Sequence, residues 1–163
     1  MSATSGRAWP VAELDPVRRV RVLAAGITGA GFSERVLDAP YDQVWSWLSD
    51  LERSIPSFDP EVDAIRVTRR DGDRIRLLAT ARLFPVPYPF DVRLTDGFCM
   101  MRAAGGLFLV VMGARPEGDG RTRYAQIEAA PRFAGRLARR RLQRSVEADG
   151  AGIERELRKL RGT

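Results

Sequence analysis

Residues 36–59 constrain the fold of this chain more than any other stretch. A short strand-like segment runs into Ala39-Pro40, and a proline has no amide hydrogen with which to extend a β-ladder. Residues 41–50 then place apolar side chains on one helical face, at the i, i+3, i+4, i+7 spacing. These side chains are Val44, Trp47, Leu48 and Leu51. A second short segment breaks at Pro56. Few folds contain this order of strand, proline, short helix and proline, so it predicts architecture better than chemistry.

Length and composition indicate one soluble domain. The 163 residues can form one substantial core, and 44% of them are hydrophobic. No apolar run reaches the roughly 18 residues that a membrane-spanning helix needs, and the N-terminal residues lack the apolar segment of a secretory signal. The single cysteine, Cys99, cannot form an intramolecular disulfide. We therefore expect a reducing, cytoplasmic location.

The absence of histidine excludes several kinds of site. Ser-His-Asp and Cys-His catalysis both need an imidazole, as do the common histidine-based zinc sites. We therefore predict no metal site and no cofactor. Any acid–base chemistry would depend on Asp, Glu, Tyr, Arg or Cys99. The net charge of +6 comes almost entirely from arginine, because Lys159 is the one lysine in the chain.

The remaining pattern predicts two parts. Residues 1–31 form an extension with one helix, which Asp15-Pro16 caps and which ends in a glycine-rich segment. Residues 32–163 form the main domain. Its strand-like segments cover residues 32–38, 61–70, 74–83, 90–95, 98–104, 107–115 and 121–130, separated by turns such as Asp71-Gly72. Residues 84–89 are predicted to be a rigid loop, because three prolines cannot donate to a ladder.

After Pro131 an amphipathic helix is predicted. One side of the helical wheel carries Leu142, Val146, Ile153, Leu157 and Leu160, and the other carries Arg140, Arg144, Arg155 and Arg158. The fold class is therefore α+β. We expect a curved antiparallel sheet of about six to seven strands around a long C-terminal helix, with a short helix pair after the first strand. A strongly curved sheet would leave a cavity beneath the helix.

These features resemble the START-related polyketide cyclase and lipid-transfer superfamily (SRPBCC), which has the helix-grip fold. The resemblance depends on Ala39-Pro40 with the Val44–Trp47–Leu48 helix, on Pro56, on the hairpin dipeptides and on the amphipathic helix after Pro131. It covers roughly residues 32–161. Members of such families bind lipids, sterols, quinones, polyketides or plant hormones, and some are enzymes. The resemblance therefore implies a ligand cavity without naming the ligand.

Asp149 is the most unusual residue of the C-terminal helix. It lies within the apolar stripe, between Val146 and Ile153. A carboxyl there needs a partner, a proton or a polar ligand, unless it lies at an open rim. Gly150 and Gly152 are costly inside a helix unless another group approaches closely. Asp149 is therefore a candidate polar anchor inside the cavity.

The last strand allows two registers, because a shift of one residue exchanges its faces. Alternation alone predicts that Ala125, Ile127 and Ala129 face inward. The resemblance implies the opposite register, in which the polar wall of the cavity would contain Tyr124, Gln126 and Glu128. Alternation is the main prediction here and the resemblance supplies the alternative.

Other candidates are apolar or basic. The tryptophans Trp45 and Trp47 are interpreted mainly as core. Residues 84–90 are interpreted as a pocket lid, a membrane-touching tip or a cap on the core. Met100 and Arg102 share one strand face, with a methionine suited to irregular pockets and a guanidinium suited to anions. The complete candidate ligand-binding set is Trp47, Phe58, Phe84, Tyr88, Phe90, Met100, Arg102, Tyr124, Gln126, Glu128, Asp149 and Ile153.

Three functions remain open from the sequence. The first is a carrier or sequestering protein for a hydrophobic small molecule such as a lipid, quinone or polyketide. The second is a polyketide cyclase- or dehydratase-like enzyme. The third is an interaction module whose basic helix, with Arg136, Arg139, Arg140, Arg141 and Arg144, contacts acidic partners or transiently an anionic membrane. Nucleic acid is not the expected partner, because base-stacking residues are not interleaved with this basic cluster.

Overall fold

The computed structural model describes residues 13–131 and 135–162. These residues form four α-helices, one 3₁₀ turn and the seven strands of one sheet. Its elements are α1 (Pro16–Gly26), β1 (Gly31–Leu37), α2 (Tyr41–Leu48), α3 (Leu51–Phe58), β2 (Val62–Asp71), β3 (Arg74–Ala81), β4 (Phe84–Thr95), β5 (Phe98–Ala103), a 3₁₀ turn (Ala104–Gly106), β6 (Leu109–Glu117), β7 (Arg121–Ala129) and α4 (Arg136–Arg161).

The described strands form one seven-stranded antiparallel sheet in the order β1-β7-β6-β5-β4-β3-β2. Strands β2 to β7 follow one another as hairpins, and β1 then pairs with β7, with Phe32 opposite Ile127. Helices α2 and α3 carry the chain from β1 at one edge to β2 at the other. Helix α4 packs on β1, β7 and α3, so the curved sheet encloses it. The predicted α+β architecture with a long C-terminal helix and a short helix pair is confirmed.

Two hydrophobic cores lie on opposite faces of the sheet. The inner core joins the sheet to α2, α3 and α4, and it contains Trp45 and Cys99. The outer core joins α1 to β5, β6 and β7. Helix α1 begins as predicted, because Asp15 Oδ1 accepts a hydrogen bond of 3.0 Å from the Arg18 amide. A Cβ at Gly113 would lie 2.5 Å from the Pro16 carbonyl oxygen, so glycine allows α1 to approach β6 closely.

The prediction of a loop at residues 84–89 is wrong. These residues belong to β4 and pair with β3, with Leu78 opposite Pro89 and Ala81 opposite Phe84. On the other side of β4, pairing with β5 begins only at Phe90. The proline-rich half of β4 therefore has one free edge, where a proline that lacks an amide hydrogen costs no hydrogen bond.

Helix α4 continues without a break through its two internal glycines. A Cβ at Gly152 would lie 2.4 Å from the Phe58 carbonyl oxygen, and one at Gly150 would lie 2.1 Å from the Arg35 guanidinium carbon. Gly152 therefore needs glycine because the backbone at the end of α3 packs directly against the helix, whereas at Gly150 the neighbour is the end of a flexible arginine side chain. The predicted close approach accounts for the cost of Gly152 in helix propensity.

Candidate functional site

A small cavity of about 50 Å³ lies between the inner face of the sheet and α4. Most of its wall is apolar and comes from α3 and from strands β2 to β6. The larger apolar groups are the rings of Phe58, Phe90 and Phe108 and the thioethers of Met101 and Met112. Methionine side chains are flexible and adapt to irregular shapes.

The polar part of the wall comes from β7, α4 and the end of α3. It consists of Gln126, Glu128, Asp149 and Asp59. The register that alternation alone favoured for the last strand is therefore wrong. Ala125 and Ile127 face outward and belong to the core beneath α1. Because α1 covers this outer face, both faces of β7 are buried, and an apolar alternation no longer identifies the inner one.

A chain of hydrogen bonds runs along the inner face of β7. The Tyr124 hydroxyl donates to Gln126 Oε1 at 2.8 Å. Gln126 Nε2 then donates to Asp149 Oδ2 at 2.7 Å and to Glu128 Oε1 at 3.2 Å. This network uses both amide protons of Gln126, so the amide holds two carboxyl groups from different elements together.

Glu128 and Asp149 form a carboxyl pair that requires a proton. The Gln126 amide holds both side chains, and within the described residues Asp149 Oδ1 has no hydrogen-bond partner. Burial raises the pKa of both carboxyls, and the charge of Glu128 raises that of Asp149 further. A proton on Asp149 satisfies this geometry, because it makes Asp149 a donor to Glu128.

Asp59 adds a third carboxyl group to the same cavity. Burial, followed by the nearby charge of Asp149, raises its pKa to about 7, although its Oδ1 accepts a hydrogen bond from the Glu61 amide at 2.8 Å. Three carboxyl groups with raised pKa therefore share one mostly apolar space. No ion pair to any of them occurs in residues 13–131 and 135–162.

Arg35, which packs against α4 next to Asp149, is directed past this cluster. Arg35 crosses α4 at Gly150, and its Nη1 donates to Glu154 Oε1 at 3.0 Å. Gly150 therefore leaves room for Arg35 to pair with Glu154, one helical turn beyond the glycine. This arrangement leaves the carboxyl pair without a permanent counter-charge, which is consistent with the raised pKa values.

Phe108 and Glu128 separate the cavity from a surface groove. They line both spaces, and the groove has a volume of about 320 Å³. An ion pair between Glu61 and Arg141, with a nitrogen–oxygen distance of 3.6 Å, lies at the rim of the groove.

The structure brings part of the predicted site together. Phe58, Phe90, Gln126, Glu128 and Asp149 line the cavity. Tyr124 contacts them through Gln126, Ile153 is buried in the inner core, and Trp47 packs edge-on against Phe58 with ring centroids 6.0 Å apart. Four residues of the predicted set do not line the cavity. Phe84 and Tyr88 lie on the exposed part of β4, and Met100 and Arg102 lie on the outer face of the sheet.

Sequence reasoning missed Asp59 and Phe108. Asp59 follows α3 directly and has the same charge as many surface residues, so only its position under α4 distinguishes it. Phe108 follows the 3₁₀ turn, where no periodic pattern predicts a direction for its side chain. Cys99 is buried, and burial raises the pKa of its thiol to about 12, so it is a core residue and not a nucleophile.

Solved structures share this arrangement of sheet and helix. A START superfamily protein from Mycobacterium smegmatis matches with a TM-score of 0.65 at 14% identity, covering 80% of this chain and 98% of that protein. The chain has the START-like helix-grip fold. A Thermus thermophilus protein matches this START-like fold with a TM-score of 0.61 at 24% identity, covering 77% of this chain and 94% of the other.

An enzyme is also among the proteins with this START-like fold. The Zhui aromatase/cyclase from a Streptomyces species matches with a TM-score of 0.57 at 15% identity, covering 77% of this chain and 88% of the enzyme. No family model and no curated protein matches the sequence. Among residues 13–131 and 135–162, no helix combines the length and the apolarity that crossing a membrane requires.

Proposed function

We propose that this protein binds an apolar small molecule between the sheet and α4, with a polar group of the ligand held by Glu128 and Asp149. The observation that carries this proposal is a mostly apolar cavity whose polar wall ends in a carboxyl pair. Lipids, quinones and polyketides have this combination of an apolar body and a few oxygen atoms. The presence of START and aromatase/cyclase proteins among the structural neighbours supports the same class of ligand.

The size of the cavity requires it to open. A cavity of about 150 Å³ accommodates benzene, whereas this one measures about 50 Å³. The groove beyond Phe108 offers about 320 Å³, and small-molecule sites usually measure about 300–1,000 Å³. A ligand that displaces the Phe108 ring would therefore occupy both spaces and still reach Asp149.

The protonated carboxyl determines which polar group fits. When Asp149 carries the proton, it can donate to a carbonyl or hydroxyl oxygen of the ligand in place of Glu128. A carboxylate ligand would instead add a negative charge beside Asp59, Glu128 and Asp149, where no counter-charge pairs with it. The site therefore favours neutral oxygen-containing ligands over acids.

The test compares 2-tetralone with tetralin, which differ by one carbonyl group, in titration calorimetry. We expect the ketone to bind about tenfold more tightly, the value of one hydrogen bond of about 1.4 kcal/mol. Asp149→Leu should abolish this preference, and Asp119→Asn, at an exposed turn, should keep it. If neither compound binds and native mass spectrometry of the purified protein finds no bound small molecule, the proposal is wrong.

A second candidate is a cyclase-like enzyme, and the shared proton of the carboxyl pair favours it. Glu128 as a carboxylate would take a proton from the carbon beside a ligand carbonyl while Asp149 donates its proton to the carbonyl oxygen. The ketone then becomes an enol, and the pair keeps the same number of protons. Arg102 lies on the outer face and does not contribute.

Exchange of deuterium into 2-tetralone, followed by NMR, separates this enzyme from a carrier. An enzyme would accelerate the exchange, and Glu128→Gln would slow it by about 10²-fold or more while leaving the ketone bound. If the wild-type protein binds 2-tetralone and leaves its exchange rate unchanged, the carrier function stands and the enzyme candidate is rejected.

A further inference from the structure

One end of the molecule exposes large apolar side chains. The turn between β3 and β4 exposes 81% of Leu83 and 74% of Phe84, and Val86 on the same hairpin is 71% exposed. In the first turn of α4, Leu137 is 82% exposed. Scattered single apolar residues are common on protein surfaces, but three within four residues at a hairpin tip form a patch.

Two contacts place the hairpin beside the start of α4. The Arg82 amide donates to the Glu61 carbonyl oxygen at 3.0 Å, and the Glu61 carboxylate pairs with Arg141 of α4 at 3.6 Å. The groove that leads to the cavity lies at the same end, because Glu61 and Arg141 both line it. We call this end, with residues 82–88, residues 136–144 and the groove, the docking end.

The exposed side of α4 at the docking end is basic. At about 100° per residue, Leu137 lies among Arg136, Arg140 and Arg144. All three arginines are exposed, and no ion pair joins them to an acidic residue within residues 13–131 and 135–162. The helix therefore presents one apolar side chain surrounded by three cationic ones.

We propose that the docking end binds the surface of an anionic lipid bilayer. The hairpin tip places Leu83, Phe84 and Val86 among the upper acyl chains, and the α4 arginines contact lipid phosphates. Guanidinium groups suit phosphates because they donate in a planar fork. A projecting apolar tip flanked by positive charge fits a deformable anionic layer, whereas a protein partner would need a complementary pocket for the tip.

This surface gives the cavity a direct route to a membrane. The groove beside Phe108 is lined by α4 and by Glu61, whose carbonyl oxygen accepts a hydrogen bond from the Arg82 amide of the hairpin, so docking would place the opening of the cavity against the lipid. An apolar ligand could then move between bilayer and cavity without crossing water. The docking itself is independent of the proposed ligand site, because none of the residues that would touch lipid lines the cavity.

The test is co-sedimentation with vesicles made of equal parts phosphatidylcholine and phosphatidylglycerol, with pure phosphatidylcholine as the neutral surface. We expect binding to the anionic vesicles that weakens as salt rises from about 0.1 M to about 1 M, because the screening length falls from about 10 Å to about 3 Å. Arg136→Gln with Arg140→Gln should reduce binding about 25-fold, at about fivefold for each charge.

The matched control removes two exposed arginines from the opposite end of the sheet. Arg69→Gln with Arg70→Gln changes the net charge equally, but these residues lie near the β2–β3 turn. This variant should bind as the wild type does. Leu83→Ser with Phe84→Ser should weaken binding at least about tenfold, and both side chains are exposed, so thermal melting should show an intact fold.

Three results would overturn the proposal. The first is equal loss of binding in the control and the α4 variant, which would mean that net charge alone attracts the protein. The second is unchanged binding of the hairpin variant. The third is binding to an acidic polypeptide such as polyglutamate but not to the anionic vesicles, which would assign the docking end to a protein partner.

Discussion

The two faces of β7 are equally buried and chemically opposite. On the outer face, Ala125 and Ile127 pack beneath α1 and are 0% exposed. On the inner face, Tyr124, Gln126 and Glu128 lie beneath α4 and are 0%, 1% and 3% exposed. Burial therefore does not distinguish the two faces, whereas the hydrogen bonds and the carboxyl groups do.

The difference separates an apolar packing surface from the polar surface that lines the cavity. Apolar side chains of similar volume would hold α4 at least as well as a buried polar network, because ionisable groups lose their hydration when they are buried. The part of the outer face that is buried beneath α1, at Ala125 and Ile127, is apolar. The inner face retains the polar set, and it does so where the cavity lies, which is where a ligand would need it.

The largest expected effect is on the outer face. Ile127→Ala should lower the free energy of unfolding by about 2–5 kcal/mol, because it removes buried methyl groups and leaves a cavity beneath α1. Urea denaturation measures this change. Val22→Ala on the solvent side of α1, where the side chain is 59% exposed, should change it by less than about 0.5 kcal/mol. Similar losses in both variants would mean that α1 does not form a second core.

The next effect depends on pH and belongs to the inner face. Because the pKa values of Asp59, Glu128 and Asp149 are raised, the folded protein keeps protons that the unfolded chain releases near pH 4. Their contribution to stability is therefore present below about pH 4 and is lost as pH rises through about 7 for Asp59 and Glu128 and through about 9 for Asp149. The chain has no histidine, so few other side chains titrate in this range.

Asp149→Asn tests this linkage, because asparagine keeps the shape of the side chain without ionising. The variant should flatten the fall in melting temperature between pH 5 and pH 8, and at pH 8 it should be more stable than the wild type by on the order of 1 kcal/mol. Asp119→Asn, at an exposed position, should leave the pH dependence unchanged. An unchanged slope in the Asp149 variant would show that this carboxyl is ionised in the folded protein.

The smallest effect concerns the hydroxyl at the end of the polar network. Tyr124→Phe should lower the free energy of unfolding by about 1 kcal/mol at every pH, because Gln126 Oε1 loses its donor while the ring still fills the core. Tyr88→Phe is the control, since its hydroxyl donates to the Ala104 carbonyl at 3.2 Å on an exposed part of the sheet. Equal losses would mean that the buried network adds no stability.

Much of the fold follows from local patterns. The cap at Asp15-Pro16, the short helix after Ala39-Pro40 and the apolar stripe of α4 are visible in the sequence, and the structure contains all three, except that Leu160 at the end of the predicted stripe is 38% exposed. Asp149 also stands out within that stripe, because periodicity places a carboxyl where an apolar side chain belongs. Local periodicity therefore identifies helices and strands. It also identifies a residue whose polarity does not match the face of the helix on which it lies.

The site as a whole does not follow from such patterns. The alternation in β7 misleads because a second helix covers its outer face, and the prolines of β4 are tolerated because β5 ends at Ala103. Asp59 joins Glu128 and Asp149 only because α3 ends beneath α4. Each of these outcomes depends on a neighbour that is distant in the chain.

Local propensity and periodicity were thus sufficient to predict the element order, the α+β class and the unusual position of Asp149 on the apolar face of α4. These features depend on residues that are only a few positions apart in the chain. The inner face of β7, the carboxyl pair with its raised pKa values and the position of Phe108 between cavity and groove were decided by packing between distant segments. Burial and charge neighbourhood, which set the pKa of a carboxyl, exist only once those segments have come together.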